Sequence, residues 1–111
     1  MIRTLAIALL LAAVPTGASA HKLVVFASVT CDAVNVEAKF SSGRIAKKGN
    51  VRVLDGDNKL LQTMKLKRDG TARVLLDKVD HSSGLVIEVD TGGHDNYWIV
   101  TPEDIAKKCG S

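Results

Sequence analysis

From residue 22 onward the chain is a succession of short alternating apolar segments, each cut off by turn-forming residues every eight to twelve positions. That periodicity leaves little room for anything but a two-layer antiparallel β structure. Residues 33–40 show it most cleanly. Val34, Val36, Ala38 and Phe40 share one parity, and Asn35, Glu37 and Lys39 the other. One face is therefore buried and the other wet. Residues 22–29 are apolar on both parities, which predicts a strand covered on both sides at least in part. Val51 and Val53 open a third strand, closed by the hairpin signal Asp55-Gly56-Asp57-Asn58. A fourth is predicted over 59–66, with Leu60, Met64 and Leu66 on one side. Arg68-Asp69-Gly70 turns the chain into a fifth over 71–76, with Ala72, Val74 and Leu76 inward. Residues 84–90 form the sixth, with Leu85, Ile87 and Val89 inward, and Tyr97–Val100 the seventh after a flexible loop at 91–96. Thr101-Pro102-Glu103-Asp104 reads as a helix start: a capping hydroxyl, a proline at the first helical position, and acids at the positive end of the dipole. With Lys107, Lys108 and Gly110 closing it, the helix spans about two turns. The fold class is all-β: a seven-stranded, antiparallel, immunoglobulin-like sandwich with a short C-terminal helix.

The first 20 residues do not belong to that pattern. Arg3 precedes an unbroken apolar run from Leu5 to Val14, then come Pro15, Gly17 and the small-x-small sequence Ala18-Ser19-Ala20. This is the order of a secretory signal peptide, and the run is short for a bilayer span. Cleavage after Ala20 gives a leader at 1–20 and one domain at 21–111 that is exported, periplasmic and not inserted in the membrane; a retained leader would make an anchor. Fifteen basic and twelve acidic residues give +3, and Arg3 is the only charged residue before His21, so the remainder carries +2. With the two signs interspersed and no basic stripe, nucleic acid is not an expected partner. Cys31 and Cys109 are the only cysteines. In an oxidising compartment they read as one disulfide, and a free or metal-binding thiol pair is the alternative.

Strand count fixes which loops share an end. If directions alternate, the N-terminus and the loops after strands two, four and six lie together. The loops after strands one, three and five lie opposite, with the exit of strand seven. His21 and His94 then fall at one end. Cys31 and Cys109 fall at the other, together with His81, which reads as a solvated loop histidine.

Cleavage after Ala20 would leave His21 with a free amine beside its imidazole, two nitrogens that chelate one ion. His94, in a glycine-rich loop, can supply a third, and Asp95 or Asp90 an oxygen. Two or three nitrogens with an optional oxygen suit nickel(II), cobalt(II) or copper(II) better than calcium or magnesium. The bland alternative is that both histidines are ordinary surface residues. Catalysis is not expected, since Ser41-Ser42 and Ser82-Ser83 have no triad context and no phosphate-cradling loop is present.

His21-Lys22-Leu23-Val24-Val25-Phe26-Ala27 directly after the cleavage site resembles the start of the exported accessory component (NikL type) of nickel/cobalt energy-coupling-factor uptake transporters. Phe40-Ser41-Ser42-Gly43 leading into Val51–Asp55, and Lys67-Arg68-Asp69-Gly70-Thr71, resemble the carboxypeptidase-regulatory-like sandwiches of those components. Gly92-Gly93-His94 followed by Trp98 is similar to their late Gly-His-aromatic stretch. The resemblance implies a non-enzymatic role in nickel or cobalt uptake, with a membrane permease as partner. This chain departs from the pattern in carrying no apolar span after the domain. The N-terminal His21 and the late His94 also resemble periplasmic copper carriers of the CopC type. Only Met64 follows the leader, however, where those carriers have a methionine-rich patch. A sandwich that binds no metal and serves as a structural or interaction module is the third expectation.

Overall fold

A computed structural model describes residues 21–109. The expected cleavage site and leader lie outside them. Seven strands form two antiparallel sheets. The first sheet has the order β1 (Leu23–Val29), β2 (Ala33–Phe40), β5 (Thr71–Leu75). The second has the order β4 (Leu60–Lys65), β3 (Asn50–Asp55), β6 (Leu85–Asp90), β7 (Asp95–Val100). Crossing between sheets after β2, β4 and β5 produces the Greek-key arrangement of an immunoglobulin-like sandwich. The one α-helix among the described residues, α1, spans Pro102–Cys109.

The inward rows interdigitate as the alternation predicts. Val25, Val34, Val36 and Val74 from the first sheet face Val51, Val53, Ile87 and Val89 from the second. Leu66, Leu76 and Ile105 close the ends of this core. Among the described residues, the members of this core run from Leu23 to Ile105.

Turn chemistry is as regular as the strand pattern. Asp55 Oδ1 accepts the Asp57 and Lys59 amides at 2.8 and 2.9 Å. Asp69 accepts Thr71 N at 3.1 Å, Asp80 accepts Ser82 N at 3.1 Å, and Asp90 accepts Gly92 N at 2.8 Å. Each aspartate mimics a backbone turn and releases the strand that follows. Gly70, with φ of +81°, completes the β4–β5 turn; a Cβ there would lie 2.8 Å from Ala38 O and 2.6 Å from Ile45 Cγ2. Thr101 and Asp104 cap α1 reciprocally, Asp104 N donating to Thr101 Oγ1 at 3.1 Å and Thr101 N to Asp104 Oδ2 at 3.0 Å.

Three local expectations are corrected. β1 is buried on one face only: Val24 and Phe26 are exposed, because its outer side has no third layer. Leu60 lies outward, 46 % exposed, rather than in the core. A bulge between Val53 and Leu54 shifts the register so that Leu60 pairs with Leu54 on the outer face, while Leu61 and Met64 pack against the core. The last loop is shorter than 91–96. Thr91 N and Thr91 Oγ1 both donate to His94 O, at 2.9 and 3.2 Å, which closes a four-residue turn and starts β7 at Asp95.

Candidate functional site

The geometry at the N-terminal end begins with β1 and β7. They belong to different sheets, yet run side by side in the same direction. Leu23 meets Asn96, Phe26 meets Trp98, and Cys31 meets Cys109, so both chains advance together. No hydrogen-bond ladder joins them. The seam is held instead by side chains and by the disulfide, whose Cα atoms are 4.7 Å apart, within the ordinary bridging range.

The amide of Asn96 is the polar link across this seam: its Nδ2 donates to Leu23 O at 2.9 Å. His21 lies two residues before Leu23, and His94 two residues before Asn96. With the strands running together and linked at that pair, the two histidines lie at the same end of the sandwich. Further contacts hold each side. Lys22 N donates to Ser41 Oγ at 3.0 Å and Ser41 N to Lys22 O at 2.7 Å, which fixes the entry to β1 against the loop after β2. The His94 ring meets Phe40 edge to face, with centroids 5.5 Å apart, and Phe40 is the β2 partner of Leu23. Both histidines remain exposed.

The aspartates are placed differently. Asp95 is the first residue of β7, directly across from Asp90 in β6. Strand alternation turns its side chain to the face opposite Asn96, so Asp90 and Asp95 form a carboxylate pair on the outer face of the four-stranded sheet. Among the described residues no group of three or more His, Cys, Asp or Glu side chains is arranged to hold a metal ion. The expected donor set counts His21 twice, and one of those nitrogens is a peptide nitrogen until the chain is cut after Ala20.

Comparison with protein-family models, with curated proteins and with solved structures gave no match. The chemistry therefore rests on the residues themselves. Exposed imidazoles are nitrogen donors suited to divalent cations of intermediate softness.

His81 lies at the far end, as the strand parity predicts. It is half-buried rather than solvated, in a hollow lined by Cys31, Asp32, Leu76 and Asp77. Three residues that shape the histidine end were not expected there from the sequence: Asn96, Phe40 and Ser41. Each is an ordinary type for its position. Their contacts depend on two sheets meeting edge to edge, which periodicity does not encode.

Proposed function

We propose that the chain is an exported, periplasmic protein that binds a divalent transition metal at its mature N-terminus and assists nickel or cobalt uptake. It holds the ion through the amine and imidazole of His21 together with His94, and passes it towards a membrane permease without catalysing a reaction. One observation supports this reading: His21 and His94 lie at the same end of the sandwich. The bridge between Cys31 and Cys109 adds support from the opposite end, since it fits an oxidising compartment and leaves no thiolate to compete for the ion. Asp95 enters as an oxygen donor only if the chain moves to turn its carboxylate towards the histidines. A CopC-like copper carrier is less well supported, because Met64 is the only methionine after the expected leader and is partly buried against the core.

Calorimetric titration of the chain beginning at His21 with nickel, cobalt and copper tests the reading. One equivalent of nickel or cobalt binds, and affinity falls as the pH is lowered, because protons compete for the nitrogen donors. Placing one residue before His21 removes tight binding, His94→Ala weakens it, and His81→Ala leaves it unchanged. Tight binding of copper alone selects the copper carrier. Binding of none of the three ions selects an interaction module and ends the metal reading.

A further inference from the structure

In antibody domains the disulfide joins the two sheets through the core. Here the bridge lies at one end of the sandwich, where the turn after β1 meets the end of α1. Cys31 and Cys109 are both exposed, and neither belongs to the core. A hollow of about 400 Å³ opens beside Cys31, lined also by Asp32, Leu75, Leu76, Asp77 and His81. Solvent-exposed bridges have more oxidising potentials than structural ones and include the labile, regulatory cases.

What this bridge holds is a short element. α1 has eight residues, too few to be stable alone in water. Three ties fix it: the reciprocal cap of Thr101 and Asp104 at its start, Ile105 in the core, and the bridge at its end. Ala106, Lys107 and Lys108 are exposed. The two ion pairs among the described residues, Arg52–Glu88 and Arg73–Asp32, do not involve α1. The sandwich is held differently. Val34, Val36, Val51, Val53, Ile87 and Val89 are fully buried in strands paired by backbone ladders that include neither cysteine. Opening the bridge therefore falls first on the last turn of α1.

We propose that the Cys31–Cys109 bridge is a thiol–disulfide exchange site in the folded protein, and that its reduction releases the last turn of α1 while the sandwich stays closed. The co-reactant is a thiol, from a small molecule or from the dithiol of another protein. Its thiolate attacks one sulfur of the bridge and forms a mixed disulfide. The other cysteine leaves with the bonding electron pair and takes a proton from water. A second thiolate then attacks the incoming sulfur, and the remaining cysteine leaves in the same way. Two thiols are oxidised to one disulfide, and the bridge is reduced to two thiols. No metal takes part, so the inference stands apart from the histidine end.

Trp98 lines the same cleft as Lys107 and Lys108 and is the only tryptophan in the chain, so its emission reports the last turn of α1. The oxidised chain beginning at His21 is treated without denaturant, at about pH 8 where thiols begin to ionise, with glutathione or with a reduced thioredoxin-type protein. Alkylation and intact mass count the thiols released. The rate of reduction rises linearly with thiol concentration and is unchanged by low urea. Faster reaction with the dithiol protein at equal thiol concentration assigns the site to a protein partner, and faster reaction with glutathione to a small thiol; both support exchange in the native state. On reduction the Trp98 emission shifts and amide exchange at residues 106–109 quickens by about tenfold or more, while Val36 and Ile87 stay protected. The Cys31→Ser, Cys109→Ser variant shows the same pattern with no reductant present. A rate independent of thiol concentration, or reduction only in urea, overturns the proposal, because the bridge then opens only through unfolding. So does unchanged exchange at 106–109 in both the reduced chain and the serine variant, or loss of protection throughout the sandwich.

Discussion

At the residue scale the histidine end depends on one carboxamide. Asn96 spans the seam where no backbone ladder exists, so its loss is felt on both sides at once. Asn96→Ala removes a part-buried hydrogen bond to Leu23 O, and chemical denaturation should show a destabilisation of about 1 kcal/mol. The second effect is local: amide exchange at Val24 and Val25 should quicken while that at Val51 and Ile87 follows only the global change. Equal acceleration everywhere would mean that Asn96 does not pin the seam. The aspartates of the turns were legible as residues, because an Asx turn needs only a carboxylate two positions before an amide. Asn96 was not. Its partner is 73 positions away, and nothing in a strand beginning Asp-Asn marks one side chain as a tether.

At the scale of elements, strands were easier to read than their edges. Apolar runs and period-two alternation between turn signals located all seven, and the strand parity put His81 at the cysteine end and His94 at the N-terminal end. Errors arose where tertiary context overrides local pattern. Leu60 has the sequence spacing of a core residue, but the bulge at Val53–Leu54 turns it outward. Val24 and Phe26 read as buried but lie on the uncovered outer side of β1, and exposed and buried apolar residues are the same letters in a sequence. The C-terminal helix is an element of modest local stability, held by a reciprocal cap, by Ile105 in the core and by the disulfide. Replacing Cys31 and Cys109 with serine should cost about 4 kcal/mol in the chain-entropy model, read as a lowered urea midpoint. Ile105→Ala, with the bridge intact, should cost about 2–4 kcal/mol. If the serine variant keeps the parent's midpoint, the bridge contributes nothing to the fold.

For the whole molecule, the aspartates that begin or close turns set the response to acid. The Thr30 hydroxyl bonded to Asp32, the Thr71 hydroxyl to Asp69 and the Ser82 hydroxyl to Asp80 hold these carboxyls below their ordinary value of 3.8. The Thr101 amide does the same for Asp104. A carboxyl that binds its proton less readily when folded favours the folded state only while ionised. The contribution is therefore complete well above 3.8 and is lost as pH falls below that value towards the lowered ones. The urea midpoint should hold steady between about pH 7 and 5 and decline below about 4. Asp69→Asn with Asp80→Asn should flatten that decline; an undiminished slope would assign acid sensitivity to other groups.

The bridge near the ends of the described chain also decides how the molecule answers to tension. Cys31 and Cys109 stand 78 positions apart, and every strand but β1 lies between them. A pull applied outside the pair passes through the sulfur atoms and bypasses everything enclosed. Only β1 can peel, and roughly 270 Å of extended chain stays locked away, counted at about 3.4 Å per residue. A pull at the N-terminal side therefore releases a single strand and leaves the rest of the sandwich closed.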